Sequence, residues 1–305
     1  MFVAFLKLVR IPNLLMIVLT QSLLKFGLLN GFGISITLST LGFSLLCIST
    51  ICIAAAGNVI NDIYDLDTDK INKPERIIIG SKISINTAYG IYIILSVIGV
   101  GIGFYLSNLI GKPSFSAIFI IISALLYLYA TYLKNILIVG NLVISFLVSF
   151  SIIIVGLYDL MPAITPENQQ TQSTVFSIIL DYALFAFLLN WLREMVKDQQ
   201  DIKGDYNSGR NTLPIAIGSK RANLVIFIIG ILPIAAVIYY LYQYLFNNTW
   251  AVLYVLLLII APLLYFQINI WTAESKKEFA NLSTLLKMIM LLGILSLGMY
   301  QFILF

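Results

Sequence analysis

The chain has 305 residues and a formal net charge of +4; 60% of its residues are hydrophobic and only 10% are charged. A soluble domain carries about 25% charged residues, and no large core accounts for such a deficit. Long apolar runs recur from end to end, which excludes a soluble enzyme or a nucleic-acid-binding domain and points to an all-α, multi-pass membrane protein.

The apolar runs predict nine spans, at about 11–31, 35–57, 86–108, 114–133, 137–157, 174–196, 221–244, 250–270 and 281–305. Each is near the roughly 20 residues a bilayer needs. No short apolar segment with a small-residue cleavage site precedes the first, so no removable signal peptide is expected. With a cytoplasmic N-terminus, 15 of the 18 basic residues fall in cytoplasmic segments, and the positive-inside rule then predicts an N-in, C-out protein. The outside loop near 158–173 carries Asp159 and Glu167 and nothing basic. Lys25 and Lys287 lie near span ends and are expected to snorkel to the interface; Asp181 is expected to be interfacial.

There is no histidine, which removes the commonest general base and most zinc sites. A metal here must be held by oxygen, as magnesium or manganese are. Cys47 and Cys52 share one apolar run at a spacing that matches no zinc or redox motif, and are expected to be small buried hydrophobes.

Eight of the 14 acidic residues fall in two short stretches, each continuing a span toward the cytoplasm. In the first, Asn58, Asp62, Asp65 and Asp69 sit at i, i+4, i+7 and i+11. Glu194, Asp198, Asp201 and Asp205 repeat that spacing in the second. On a helix each set forms one stripe. Asn61 lies beside the first stripe, and Asp67 points away from it. The stripes are offset by 136 residues, and the Gly-Ser-Lys triplets that follow them (Gly80–Lys82 and Gly218–Lys220) by 138. Two related halves facing each other would bring both stripes to one central cavity. Two carboxylates about 5 Å apart repel by roughly 3 kcal/mol at an effective dielectric of 20. Several around one cavity therefore call for a divalent cation, and magnesium shares its shell readily with phosphate oxygens. A magnesium-bridged diphosphate is the natural guest, with neighbouring lysines and arginines taking the remaining phosphate charge.

These residues resemble a known family. Asn61-x-x-x-Asp65-x-x-x-Asp69 and Asp198-x-x-Asp201-x-x-x-Asp205 are similar to the paired aspartate-rich motifs of the UbiA superfamily of intramembrane prenyltransferases. Arg10 with Asn13, the tyrosine-rich segment ending in Lys134, and Gly140-Asn141 extend the resemblance over nearly the whole chain. It implies one transmembrane domain over 1–305, a nine-helix bundle around a central cavity capped on the cytoplasmic side, and a lateral opening to lipid. It also implies transfer of an isoprenyl group, geranylgeranyl by preference, from its diphosphate to a lipophilic acceptor. The stretches Asn58–Arg76 and Arg193–Asp205, with Thr212-Leu-Pro-Ile, are most similar to the branch that prenylates a hydroxyl of a prenylated glycerol phosphate in membrane lipid biosynthesis. That branch usually continues with prolines before a Ser-Gly turn; here Arg76 leads into Ile77-Ile78-Ile79-Gly80-Ser81.

Carried onto this sequence, the resemblance implies two magnesium ions, one on Asn61, Asp62, Asp65 and Asp69 and one on Asp198, Asp201 and Asp205. Asn58 and Glu194 are ligands or support ligands. Lys134, Arg76, Lys73, Lys197, Lys203 and Arg210 are candidates for phosphate contact, and Arg10 and Asn13 for the diphosphate or the acceptor head. The rings of Tyr129 and Tyr132 are candidates for stabilising an allylic cation. Aromatic prenylation of hydroxybenzoate or dihydroxynaphthoate uses the same diphosphate site. A transporter would instead place its acidic residues at mid-membrane.

Overall fold

The computed structural model describes residues 2–299, apart from the side chain of Arg76. The chain is a bundle of helices: α1 (Phe2–Leu8), α2 (Ile11–Leu29), α3 (Thr40–Tyr64), α4 (Leu66–Asn72), α5 (Ile85–Leu109), α6 (Pro113–Thr131), α7 (Val139–Ala163), α8 (Gln169–Asn207), α9 (Leu213–Ile217), α10 (Ser219–Leu245), α11 (Thr249–Thr272) and α12 (Lys276–Ser296). Among the described residues, nine of these are long and apolar enough to cross a membrane: all except α1, α4 and α9. The expected spans are all present, with shifted edges. The ninth begins at Lys276, earlier than expected, and the end of its expected range, 300–305, lies outside the described residues.

Local chemistry sets several helix starts. Ser39 Oγ accepts from Gly42 N at 3.2 Å and Ser84 Oγ from Thr87 N at 3.1 Å. Ser275 and Glu278 form a reciprocal capping box at the head of α12. The lipid-facing surfaces are apolar all round, with Ile93, Ile94 and Val97 exposed on α5 and Ile120 and Ile121 on α6. Tyr239, Tyr242, Phe246 and Trp250 cluster where α10 turns into α11, as expected of an aromatic belt at an interface.

The main helix pairs are α3 on α5, α7 on α8 and α8 on α12. One buried cluster, including Leu192, Ile226, Phe266 and Leu286, joins α8 to α10, α11 and α12. Two others pack α1 to α3 and α5 to α8. Gly80 and Gly218, the heads of the two Gly-Ser-Lys triplets, have nearly the same left-handed backbone, with φ of 83° and 84°. Only glycine adopts that region without strain. Cys47 and Cys52 are free thiols, buried and half-buried.

Lys25 does not snorkel. Its Nζ donates to Asp159 Oδ2 at 2.9 Å and to the Leu38 carbonyl at 2.6 Å, and both charged side chains are buried. Asp159, expected in an exposed loop, sits inside α7 and also accepts from Leu38 N at 2.8 Å. A route to the interface is closed by the 37–38 segment, which is tied to Asp159 through Thr37. The buried ammonium therefore takes a carboxylate instead. Both partners lie on wide π-helical turns, Leu23–Leu29 and Gly156–Leu160.

Candidate active site

A cavity of about 970 Å³ opens between α2, α3, α4, α6, α7, α8 and α12. Its inner part is apolar, lined by Ile17, Phe119, Leu126, Leu147, Phe150 and Ile154. Its other end carries the two acidic stripes. Asn58, Asn61, Asp62, Asp65 and Asp69 line it from one side, and Glu194, Asp198, Asp201 and Asp205 from the other. Asp67 points to solvent and pairs with Lys70.

The second stripe lies on one unbroken helix of 39 residues. The first does not, contrary to the continuous helix its spacing predicts. α3 ends at Tyr64 and Asp65 forms the joint to α4. Backbone bonds from Asp65 N to Asn61 O (2.9 Å) and from Asp69 N to Asp65 O (2.8 Å) carry the i, i+4 pattern through the bend, so the stripe survives. The bend follows from the packing of α4 against α8. Asn72 fastens that contact: its Oδ1 accepts from Gly204 N at 2.9 Å and its Nδ2 donates to the Asp201 carbonyl at 3.0 Å. A Cβ on residue 204 would collide with the Asn72 side chain, so this approach needs glycine. Lys276 Nζ donates to the Asn72 carbonyl at 2.7 Å and adds α12 to the joint.

In each stripe most of the acids meet one of the chain's own cations. Arg10 pairs with Asp62 at 2.5 Å, Lys73 with Asp201 at 2.5 Å and Lys134 with Asp65 at 2.5 Å. Arg210 bridges Asp65 and Asp205 and so ties the two stripes together. Lys197 holds Glu194 at 2.8 Å, and Asn141 Nδ2 donates to Asp198 Oδ2 at 2.8 Å. Burial alone would lift the Asp65 carboxyl, but Lys134 and Arg210 outweigh it and hold the group below the usual carboxylate range. Burial and the charge of Asp65 push Asp69 up. Burial pulls Lys134 below the usual lysine range; Asp65 opposes that and Arg210 adds to it.

Backbone strain marks two places in the site. Arg10 is in the left-handed region at φ 57°, and Ile138 has φ 65°. Neither is a glycine, and such strain persists only where surrounding contacts hold it. Arg10 caps the break before α2 and reaches Asp62. Ile138 belongs to the turn that presents Lys134. A Cβ on Gly140 would lie 2.7 Å from the Lys134 Cα, so this turn packs directly on the α7 backbone.

Lys134 stands behind the cavity wall and meets it through Asn61 and Asp65, and the structure leaves Tyr132 and Lys203 out of the cavity altogether. Tyr132 is 64% exposed and outside the lining, whereas Tyr129 lines the cavity. α6 ends at Thr131, and the turn that follows rotates residue 132 outward. Lys203 is exposed on the outer face of α8. Arg76 has its side chain outside the described residues. Asn13 and Lys287, expected at opposite roles, meet at 2.9 Å, so Lys287 points inward to the cavity rather than out to the interface. Asn72 was not among the sequence candidates, and Asn141 entered only as part of the Gly140-Asn141 resemblance, with no role attached. Both are neutral, and only their partners more than fifty residues away reveal them.

Among the described residues, no three carboxylates are gathered into a ready cation site. The donors nevertheless suit a hard cation in kind, since all are carboxylate or amide oxygens. Asp201 Oδ1 is buried without a hydrogen-bond partner, an unmet acceptor that a cation fits. Delivery of a metal-bound diphosphate would let Lys73, Lys134 and Arg210 move from carboxylate to phosphate oxygens, freeing the acids for metal.

The sequence model of the UbiA prenyltransferase family matches residues 26–298. A digeranylgeranylglyceryl phosphate synthase of Korarchaeum cryptofilum (strain OPF8) is 31% identical over 299 residues, 96% of this chain and 95% of that one. A solved structure of digeranylgeranylglyceryl phosphate synthase has the same fold, with a TM-score of 0.66 at 24% identity, covering 97% of this chain and 98% of that one. A UbiA homolog from Archaeoglobus fulgidus, solved bound to GPP and Mg2+, superposes with a TM-score of 0.57 at 16% identity, covering 97% and 99% of the two chains.

Proposed function

The chain belongs to the UbiA prenyltransferase family, and from that premise we propose that it transfers a geranylgeranyl group from its diphosphate to a hydroxyl of a prenylated glycerol phosphate. The observation that carries this reading is the meeting of two matched acidic stripes over a cavity that is ionic at one end and apolar at the other. Relatives named digeranylgeranylglyceryl phosphate synthase over nearly the full length support the choice of acceptor. The proposal takes residues 1–305 as one transmembrane domain.

We assign two magnesium ions, on Asn61, Asp62, Asp65 and Asp69 and on Asp198, Asp201 and Asp205, with Asn58 and Glu194 in support. Magnesium held there would neutralise the diphosphate and so make it a better leaving group. Lys73, Lys134, Lys197 and Arg210 bind its oxygens, with Arg76 and Arg10 as further candidates. These fixed charges face the position where negative charge grows as the bond to C1 breaks. The apolar chain of the donor lies against Phe119, Leu126 and Phe150, and this wall keeps water from the allylic cation. Tyr129 presents its ring to the same space. The acceptor hydroxyl then attacks C1, forming the new C–O bond, and its proton passes to the released diphosphate. The excess of basic residues on one side of the bundle supports an N-in orientation, with the ionic end of the cavity on the cytoplasmic side.

The test is acceptor choice. Membranes containing the protein, geranylgeranyl diphosphate and magnesium should convert geranylgeranylglyceryl phosphate to the doubly prenylated product. Product formed only from hydroxybenzoate or dihydroxynaphthoate would overturn this assignment in favour of aromatic prenylation.

A further inference from the structure

The cavity holds a second group of bases that the diphosphate site does not use. Lys287 stands eleven residues into α12, or about 16 Å along its axis. Its Nζ donates to the neutral Asn13 Oδ1 at 2.9 Å, and among the described residues no carboxylate forms an ion pair with it. Arg193, on α8, lies one residue before the acidic stripe. Its Nη1 is 3.5 Å from Glu194 Oε1, a carboxylate already taken by Lys197, and its Nε is buried with no partner. Lys287, Arg193, Lys197 and Asn13 all line the cavity. Glu194 thus serves two cations, Lys197 and Arg193, while Lys287 meets no carboxylate among the described residues, and positive charge is left over inside a membrane span.

That surplus is costly where it stands. A lone ammonium within a span is expensive unless a counter-charge meets it, and an apolar side chain at 287 would pack against a lipid tail without that cost. The donor diphosphate is not the missing anion. Along α8, Arg193 lies about 7 Å deeper than Asp198 and about 18 Å deeper than Asp205, below the carboxylates assigned to the metals. The cavity therefore has two anion levels, an outer one of acids and bases suited to a metal-bound diphosphate and an inner one where the bases outnumber a single carboxylate, Glu194.

We infer that Lys287, Arg193 and Asn13 form a binding site for the phosphate of the acceptor, and that this site selects a phosphorylated acceptor over a neutral alcohol. The inference rests on the acceptor reading given above. A phosphate has the oxygens to take Lys287 Nζ, the unpartnered Arg193 Nε and the Asn13 amide together. Asn13, Arg193 and Lys287 come from α2, α8 and α12, whereas Lys134 and Arg210 come from the turns after α6 and α8, so donor and acceptor anions meet separate cations instead of competing for one set.

The experiment uses the full-length protein in lipid nanodiscs with magnesium and geranylgeranyl diphosphate. Geranylgeranylglyceryl phosphate and its unphosphorylated alcohol serve as alternative acceptors. Lys287→Met is expected to lower the ratio of kcat/KM between phosphorylated and unphosphorylated acceptor by about tenfold or more, through the acceptor KM, with no rise in the donor KM. Arg193→Gln should move the ratio the same way and serves if Lys287→Met does not fold; Lys287→Arg should restore most of it. An unaltered ratio in both charge-removing variants, or a donor KM that rises with the acceptor KM, would overturn the site while leaving the acceptor reading intact. Failure of the unmutated protein to use the phosphorylated acceptor would overturn both.

Discussion

Asp65 carries two cations at once, Lys134 and Arg210, and it is the residue through which the two stripes communicate. The metal-ligand role proposed for it would require it to exchange those partners, so Asp65→Ala should remove a ligand and leave two bases without a carboxylate. Asp201→Ala should do the same on the other stripe, where Lys73 is the base released. Turnover should fall by more than about a hundredfold in each, while detergent size-exclusion profiles stay those of a folded protein. Activity retained in both would refute the metal assignment. These aspartates were legible in the sequence because four ionised groups at helical spacing have few other reasons to exist beside a membrane. Asn72 was not legible, since an asparagine shows its purpose only through a partner that the fold brings from a distance. Lys25 was misread for the same reason: its carboxylate lies on another helix.

At the scale of elements, the long α8 was legible because its apolar and acidic parts share one helical period. The bend at Asp65 was not, because no glycine or proline announces it and the cause is the contact of α4 with α8. The turn around Lys134 is likewise a product of packing. Gly140→Ala places a methyl against the Lys134 backbone, which cannot yield as a flexible side chain would. Overpacking of this kind costs about 1–3 kcal/mol, and the displaced lysine should raise the donor KM; an unchanged donor KM would show that the turn tolerates the shift. The Lys25–Asp159 pair ties α2, the 37–38 segment and α7 together away from the cavity. Lys25→Met leaves a buried carboxylate unpaired and should destabilise the protein by about 3–5 kcal/mol. Thermal unfolding in detergent checks this, and Lys25→Met combined with Asp159→Asn should recover part of the loss.

For the whole molecule, hydrophobic runs were enough to give the nine spans. The edges shifted because helices continue past the hydrocarbon wherever partners are available. At 39 residues, α8 is about 58 Å long, nearly twice the roughly 30 Å apolar thickness of a bilayer. Its surplus carries the second stripe out to meet α4. Because the chain's own bases meet most of the acids in both stripes, chelation with EDTA should abolish turnover and leave the unfolding temperature unchanged. Magnesium together with a donor diphosphate should raise it, by about 2.7 kcal/mol of added stability at a hundred times Kd. A chelator that unfolds the protein would show that metal is structural. The clasp between Asn72 and Gly204 joins residues 132 positions apart, and Lys276 adds its bond to Asn72 across 204 positions. During synthesis the first stripe is therefore complete long before the second exists. It must wait, neutralised by Arg10 and then by Lys134, until α8 emerges. The catalytic centre is thus among the last parts of the molecule to assemble, and a nascent chain interrupted before α8 has a charge-balanced first half that cannot hold the paired site.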